Sequence, residues 1–354
     1  MLDGWRGLAA LAVLFHHVTS VPIGGRAVML FFVISGYCIT ATADEGLRNG
    51  VSFWKFLARR IHRIYPPYLL SVLFYISTRI VKNFITGVNQ LDRPLIDFVQ
   101  NATLTQWMTL VVHPIHSPAD NQTLFVAAYW SLCYEEQFYL ISALLILVAL
   151  YFKHSLLWPV VTLICISVLW NILIPGLSYG LFIEYWMVFG VGGLVFYRLC
   201  RVEDRGLRLI IDGMLAGLAV LSMGIGWASD YSLFDGSRYG DLMFASLFGL
   251  LLISIRAFDG WFHASRTGDI LRKLGLISYS LYLVHQFNLT VIASAAYKLL
   301  PTGAPSFVFV GVQTILHIVL ATVFWTLCER PFLNRRLHNA PSVTHSSAAP
   351  NESI

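Results

Sequence analysis

The sequence predicts an all-α fold, a polytopic membrane helical bundle of about ten transmembrane helices, on three observations. Hydrophobic residues make up 57% of the 354 residues and charged ones only 12%, where soluble domains are about a quarter charged. The apolar excess is spread over most of the chain, which excludes a soluble domain with a single anchor. It also falls into runs of the roughly 17–25 residues that cross a bilayer as helix.

Taken in order, the runs lie near 7–23, 27–43, 64–81, 130–151, 156–174, 179–198, 209–227, 240–256, 276–298 and 306–328. The first opens with Asp3 and Arg6, and no A-x-A-like site closes it, so it reads as a retained helix rather than a signal peptide. The second is the least secure on length. The third follows a run of arginines, and Pro66 and Pro67 suit a helix start or a kink. Between the third and fourth, the segment 95–112 is interrupted by Asp97, Gln100, Asn101 and Gln106 and reads as interfacial or re-entrant. In the seventh, Gly213 and Gly217 form a GxxxG pair suited to helix packing. The tail, rich in Ser, Ala, Pro and Asn, reads as disordered, which divides the chain into a membrane unit, 1–335, and a cytoplasmic tail, 336–354.

Basic residues orient this arrangement. With the N-terminus in the cytoplasm, only Arg26, Arg79, Lys82, Arg93, Arg238 and Lys298 of the 24 Lys and Arg lie on the far side. The positive-inside rule then favours both termini in the cytoplasm and a place in the plasma membrane, the inner membrane of a bacterium. The net charge of +5 is dispersed and lacks interleaved aromatics, so the partners expected are membrane lipids and not nucleic acid. The cysteines Cys38, Cys133, Cys165, Cys200 and Cys328 show no CxxC spacing and read as small core hydrophobes. His113 and His116 flank Pro114, which denies them a common helix face, and no HExxH is present, so no metal site is expected.

Four clusters carry the chemistry. An ionisable residue deep in an apolar run is costly and marks function by default, which singles out His17. Arg6 lies eleven residues before it, roughly 16 Å along a helix and about 20° away around the axis, so both share a face. That suits a ligand with an anionic part at Arg6 and a reactive part at His17, whereas His16 points about 100° away and reads as structural. Arg59, Arg60 and Arg63 precede the third run at helical spacings that let them converge on a phosphate or anchor the helix to anionic lipid. Trp130, Ser131, Glu135, Glu136 and Tyr139 open the fourth run. Neighbouring carboxylates point apart, so one of Glu135 and Glu136 is expected to orient an imidazole or bind sugar hydroxyls while the other caps or pairs. His285 follows Ser278, Tyr279, Ser280 and Tyr282 as a second intramembrane imidazole, in packing or in function.

Read together, these motifs resemble acyltransferase family 3. Leu2-Asp3-Gly4-Trp5-Arg6-Gly7 through His17 resembles its opening Arg-x10-His signature. Phe31-Phe32-Val33-Ile34-Ser35-Gly36-Tyr37 resembles its second-span motif, and Arg59-Arg60 with Arg63 and Pro66 its third. Trp130-Ser131-Leu132 through Tyr139 resembles its fourth, Ser278 to His285 a late one, and Glu329-Arg330-Pro331 its last. Trp5 and Cys133 stand where Leu and Ser are usual, and Val284 where Trp is common. The resemblance implies ten membrane helices and transfer of an acyl group, commonly acetyl, from cytoplasmic acyl-CoA as co-substrate to a hydroxyl. The acceptor it implies is a cell-envelope or exported carbohydrate, or a lipid-linked glycan. It implies that His17 is the essential histidine, the expected base, and Glu135 or Glu136 is expected to help bind or orient the acceptor. Arg6, Arg59, Arg60 and Arg63 would hold the donor, and Trp130, Ser131, Tyr139 and His285 would line the substrate site. The rival reading is a proton-coupled transporter or flippase of a lipid-linked sugar that uses the same histidine and glutamates as a relay.

Overall fold

In the computed structural model, which describes residues 1–152, 155–228 and 238–333, apolar periodicity becomes helix at every predicted run. The first half comprises α1 (Leu2–Thr19), α2 (Gly24–Arg48), α3 (Phe53–Thr86), α4 (Leu95–Thr103), α5 (Trp107–Val112), α6 (Trp130–Phe152) and α7 (Leu157–Leu173). The second comprises α8 (Trp186–Cys200), α9 (Arg205–Ala228), α10 (Arg238–Ser254), α11 (Asp259–Ala264), α12 (Arg266–Leu276), α13 (Ser278–Val284), α14 (Leu289–Leu299) and α15 (Ser306–Phe324). The described residues form no β-strand, only an isolated bridge between Ile115 and Ser178. The all-α bundle is therefore as expected. The expected tail, 336–354, lies outside the described residues.

Among the described residues, six helical stretches are long and apolar enough to cross a membrane: Gly24–Arg48, Phe53–Thr86, Ala127–Tyr151, Arg205–Gly226, Arg238–Ala264 and Ser306–Phe332. α7 and α8 are apolar but shorter. α1 spans 18 residues, but Asp3, Arg6, His16 and His17 lower its hydropathy. The ninth run is broken into α13, a 3₁₀ turn at Gln286–Asn288, and α14. Length and composition thus yield fewer than ten clear spans among the described residues: α7 and α8 are short, α1 is polar at both ends, and the ninth run is interrupted.

Three local expectations change. α3 starts at Phe53, where the Ser52 hydroxyl accepts the Lys55 N–H at 3.4 Å, and it runs through Pro66 and Pro67 rather than starting there. These prolines carry no N–H, which deprives the His62 and Arg63 carbonyls of their usual helical donors. Gly213 and Gly217 have nothing within 4 Å of a built Cβ. α9 packs on α10 through its other face, where Ile211, Leu215, Ala219 and Ser222 are buried. Cys133 is buried, but Cys165 and Cys200 are exposed on the outside of the bundle, where a weakly polar thiol suits apolar surroundings.

The glycines that hold helices together lie elsewhere. A Cβ on Gly36 would stand 1.9 Å from the Phe189 carbonyl oxygen, and one on Gly192 1.9 Å from that of Val33, so α2 and α8 cross with backbones touching. A Cβ on Gly275 would stand 1.9 Å from the Asp3 carbonyl oxygen, which seats α12 against the start of α1. Both contacts fix the two helices that carry the opening motifs. Segment 95–129 folds over the bundle around buried amides. The Asn101 amide donates to the carbonyls of Asp97 and Thr123, each at 2.7 Å, and the Asn121 amide donates to that of Gln106 at 3.0 Å.

Candidate active site

Two cavities penetrate the bundle from opposite ends of α1. The first encloses about 870 Å³ of empty space, part of it open to solvent, and is lined by Arg6, Arg60, Arg63, Glu135, Tyr139 and Glu329 among others. α3 supplies Arg60 and Arg63 at i,i+3, and α6 supplies Ser131, Glu135 and Tyr139 on one face at successive i,i+4 steps. The Arg60 guanidinium donates to the Thr42 hydroxyl at 2.6 Å and lies 5.7 Å from the centroids of Phe56 and Tyr139. Glu135 accepts from the Tyr139 hydroxyl at 2.6 Å and the Ser35 hydroxyl at 3.0 Å. Glu329 reaches this cavity because α15 ends in a π turn, Trp325–Glu329, and its carboxylate accepts from the Ser280 hydroxyl at 2.5 Å. Among the described residues no carboxylate oxygen lies within 4.0 Å of the Arg6, Arg60 or Arg63 nitrogens. Three guanidiniums that converge without carboxylate partners suit a polyanionic ligand.

The second cavity, about 830 Å³ on the same measure, is lined by His16, His17, Trp130, Tyr185, Asp241 and Gln286 among others. His17 makes no hydrogen bond to a described residue; its ring lies 4.8 Å from that of His16 and 5.1 Å from that of His285, centroid to centroid. His16 is engaged, with Nδ1 on the Val21 carbonyl at 2.6 Å. Trp130 and Tyr185 stand with centroids 5.6 Å apart, and Gln286 holds its side chain by accepting the Ala128 N–H at 2.7 Å. Asp241 is ion-paired with Arg26. An unengaged imidazole beside aromatic rings, an amide and a carboxylate suits a hydroxyl-bearing ligand.

Tyr282 lines both cavities. Its hydroxyl donates to the Ala128 carbonyl and shares a 2.7 Å contact with the Ser131 hydroxyl, which pins the ring between the two spaces. Arg6 and His17 therefore lie on one helix as expected but face different cavities, with Tyr282 between them.

The other expected residues divide accordingly. Arg60 and Arg63 join Arg6; Arg59 is exposed and does not line the cavity, because it lies about 100° from Arg60 around α3. Glu135, Ser131 and Tyr139 belong to the arginine cavity and Trp130 to the histidine cavity. Neither glutamate lines the cavity that holds His17. Glu136 instead accepts from the Tyr65 hydroxyl, so α6 is tied to α3 through it. Glu136 is thus the member of the pair that is tied up, and Glu135 the one that faces a cavity. His285 lines neither cavity; it is 1% exposed and lies behind His17. Four residues were not singled out as site residues from the sequence: Glu329, Tyr185, Asp241 and Gln286. Asp241, an acid in the apolar run of α10, carried the same signal that singled out His17. Glu329 stood inside the closing motif without a role.

Comparison with known proteins supplies the family. The model of an acyltransferase domain matches residues 1–328. An exopolysaccharide production protein of Rhizobium meliloti is 25% identical over 90% of this chain and 92% of its own length. A peptidoglycan O-acetyltransferase of Listeria monocytogenes is 25% identical over 80% of this chain and 48% of its own. An O-acetyltransferase of Staphylococcus aureus is 25% identical over 93% and 56%. The chain spans about half the length of these last two relatives. No solved structure matches. With one family model covering the chain from the Arg6 helix to the π turn before Glu329, the protein belongs to acyltransferase family 3.

Proposed function

We propose that this chain is an integral membrane O-acyltransferase that moves an acyl group, acetyl in the first instance, from cytoplasmic acyl-CoA to a hydroxyl of a cell-envelope or exported carbohydrate. The observation that carries the reading is the pair of cavities meeting at Tyr282, one lined by three arginines and the other by an unengaged histidine. Coenzyme A is a polyphosphate with a long thin arm. Its phosphates suit Arg6, Arg60 and Arg63, and the thioester would reach in toward Tyr282. A sugar hydroxyl would enter from the other side, against Trp130 and Tyr185, with His17 as base.

In this mechanism a neutral His17 takes the hydroxyl proton as the oxygen attacks the thioester carbonyl. The carbon–sulfur bond breaks, and the thiolate receives the proton from His17, so the products are the ester and free coenzyme A thiol. The curated relatives named for O-acetyl transfer and for exopolysaccharide production support an acetyl donor and a carbohydrate acceptor. The distribution of basic residues supports the arginine cavity facing the cytoplasm.

The test uses proteoliposomes of the purified chain, labelled acetyl-CoA on the arginine side and an oligosaccharide acceptor on the other. Labelled ester should form with the wild type and not with His17→Ala. A labelled imidazole adduct on His17, trapped by acid quench, would replace general-base catalysis with an acyl-enzyme. Movement of the sugar down a proton gradient without ester would replace the transferase with the transporter.

A further inference from the structure

His285 is 1% exposed, and His317, on the neighbouring α15, is 0% exposed. Each ring is anchored through Nδ1 to helix carbonyls. His285 Nδ1 faces the Tyr282 carbonyl at 2.9 Å and that of Leu281 at 3.1 Å, and His317 Nδ1 faces that of Gln313 at 2.8 Å. Carbonyls only accept, so both Nδ1 atoms carry the hydrogen and both Nε2 atoms present a lone pair. Among the described residues neither Nε2 has a hydrogen-bond partner, and a buried acceptor left without a donor is costly.

Three of the rings near His285 are already used or offer no hydrogen. The Tyr282 hydroxyl is spent on the Ala128 carbonyl. His317 offers a second lone pair rather than a hydrogen. His16 is turned to Val21. The ring that remains is His17, 5.1 Å away centroid to centroid, about the spacing of two imidazoles joined by an N–H···N bond of about 2.9 Å. The bond is not closed in the ligand-free arrangement, where the rings are tilted 45°; catalytic hydrogen bonds often tighten only on substrate binding.

We propose that His285 is a positioning residue for His17: its Nε2 accepts the His17 N–H that faces it and thereby fixes which His17 nitrogen meets the acceptor hydroxyl. This rests on the reading of His17 as the base. His285 keeps its own hydrogen throughout. The hydroxyl proton passes to the free His17 nitrogen and on to the departing thiolate, so the pair gains and loses nothing over a turnover. The arrangement serves the purpose of a buried carboxylate behind a catalytic imidazole without placing an anion in hydrocarbon.

Two measurements test it. In protein labelled with ¹⁵N-histidine, resonances assigned by single-histidine variants report the His17 tautomer with no substrate turnover. Wild type should become a single tautomer when the acceptor oligosaccharide is added, and His285→Ala should remain a mixture. In the transfer assay His285→Ala should lower kcat at least about tenfold, short of the roughly 10⁴ lost when a triad imidazole loses the right partner. KM for both substrates should stay within about twofold and the kcat–pH profile should move. The groups that share that profile are His16 and His17 on α1, His317 on α15, and Tyr282 and Asp241 around the cavity. His285→Gln, which restores an acceptor, should recover most of kcat. An unchanged tautomer in His285→Ala, or a loss confined to KM, overturns the proposal. A changed tautomer in a protein that transfers no acyl group would instead overturn the transferase reading. Thermal unfolding of each variant separates both outcomes from misfolding.

Discussion

The two cavities differ in how their polar groups are occupied. At the arginine end Glu135 and Glu329 are held by neighbouring hydroxyls, while Arg6, Arg60 and Arg63 keep their charge free of carboxylates. At the histidine end Asp241, His16 and Gln286 are all engaged, while His17 is not. At each end these neighbours are engaged, while among the described residues the arginines lack a carboxylate and His17 lacks a hydrogen-bond partner. On the proposed function, the fixed charge at one end would hold a donor and the imidazole at the other would react with an acceptor.

Substitutions can break that division. The largest effect is expected from His17→Ala, which should lower transfer by about 10²–10⁴ while acyl-CoA affinity, measured by titration calorimetry, stays unchanged. Equal loss of both would merge the two cavities into one function. Arg60→Gln or Arg63→Gln should do the reverse. Each removes charge-assisted hydrogen bonds of about 1.5–3 kcal/mol, weakening donor binding about ten- to a hundredfold with the acceptor KM unaffected. Arg59→Gln, at the exposed neighbour, should leave donor binding within about twofold.

Two smaller effects sharpen the contrast. Gly36→Ala pushes a methyl into the Phe189 carbonyl, and overpacking of this kind costs about 1–3 kcal/mol. Thermal unfolding in detergent should register it, because α2 walls both cavities. Gly213→Ala, facing open space on α9, should leave stability unchanged or raise it by up to about 1 kcal/mol. Trp130→Ala should raise the acceptor KM by at least about two- to tenfold, from about 0.5–1.5 kcal/mol for an aromatic contact beyond its area, and leave donor KM alone.

The features legible in the sequence are the local ones. Apolar runs located the helices because a membrane span is set by its own residues. Arg6 and His17 could be placed on one helix by arithmetic, since 3.6 residues per turn holds wherever α1 lies. Their separation into two cavities was not legible, because it depends on Tyr282, 265 positions after His17 and brought there by α13. The same holds for Glu135. Its spacing from Ser131 and Tyr139 fixed the face of α6, but which cavity that face meets is decided by α2 and α3. The GxxxG pair misled because a close approach needs a partner helix, and α9 turns Ile211 and Leu215 toward α10 instead.

The π turn before Glu329 makes that carboxylate depend on the count of residues as much as on their identity. A π turn holds one residue more than an α turn, so it persists only while residues 325–329 keep their number. Were the turn to relax to regular helix with all five residues kept, the chain beyond it would be one residue out of register, a swing of about 100°. The acid would then leave the arginine cavity with every cavity-lining side chain still in the sequence. In an alignment of such chains, a one-residue gap at this turn would mark a regular helix that reaches the same register without the bulge.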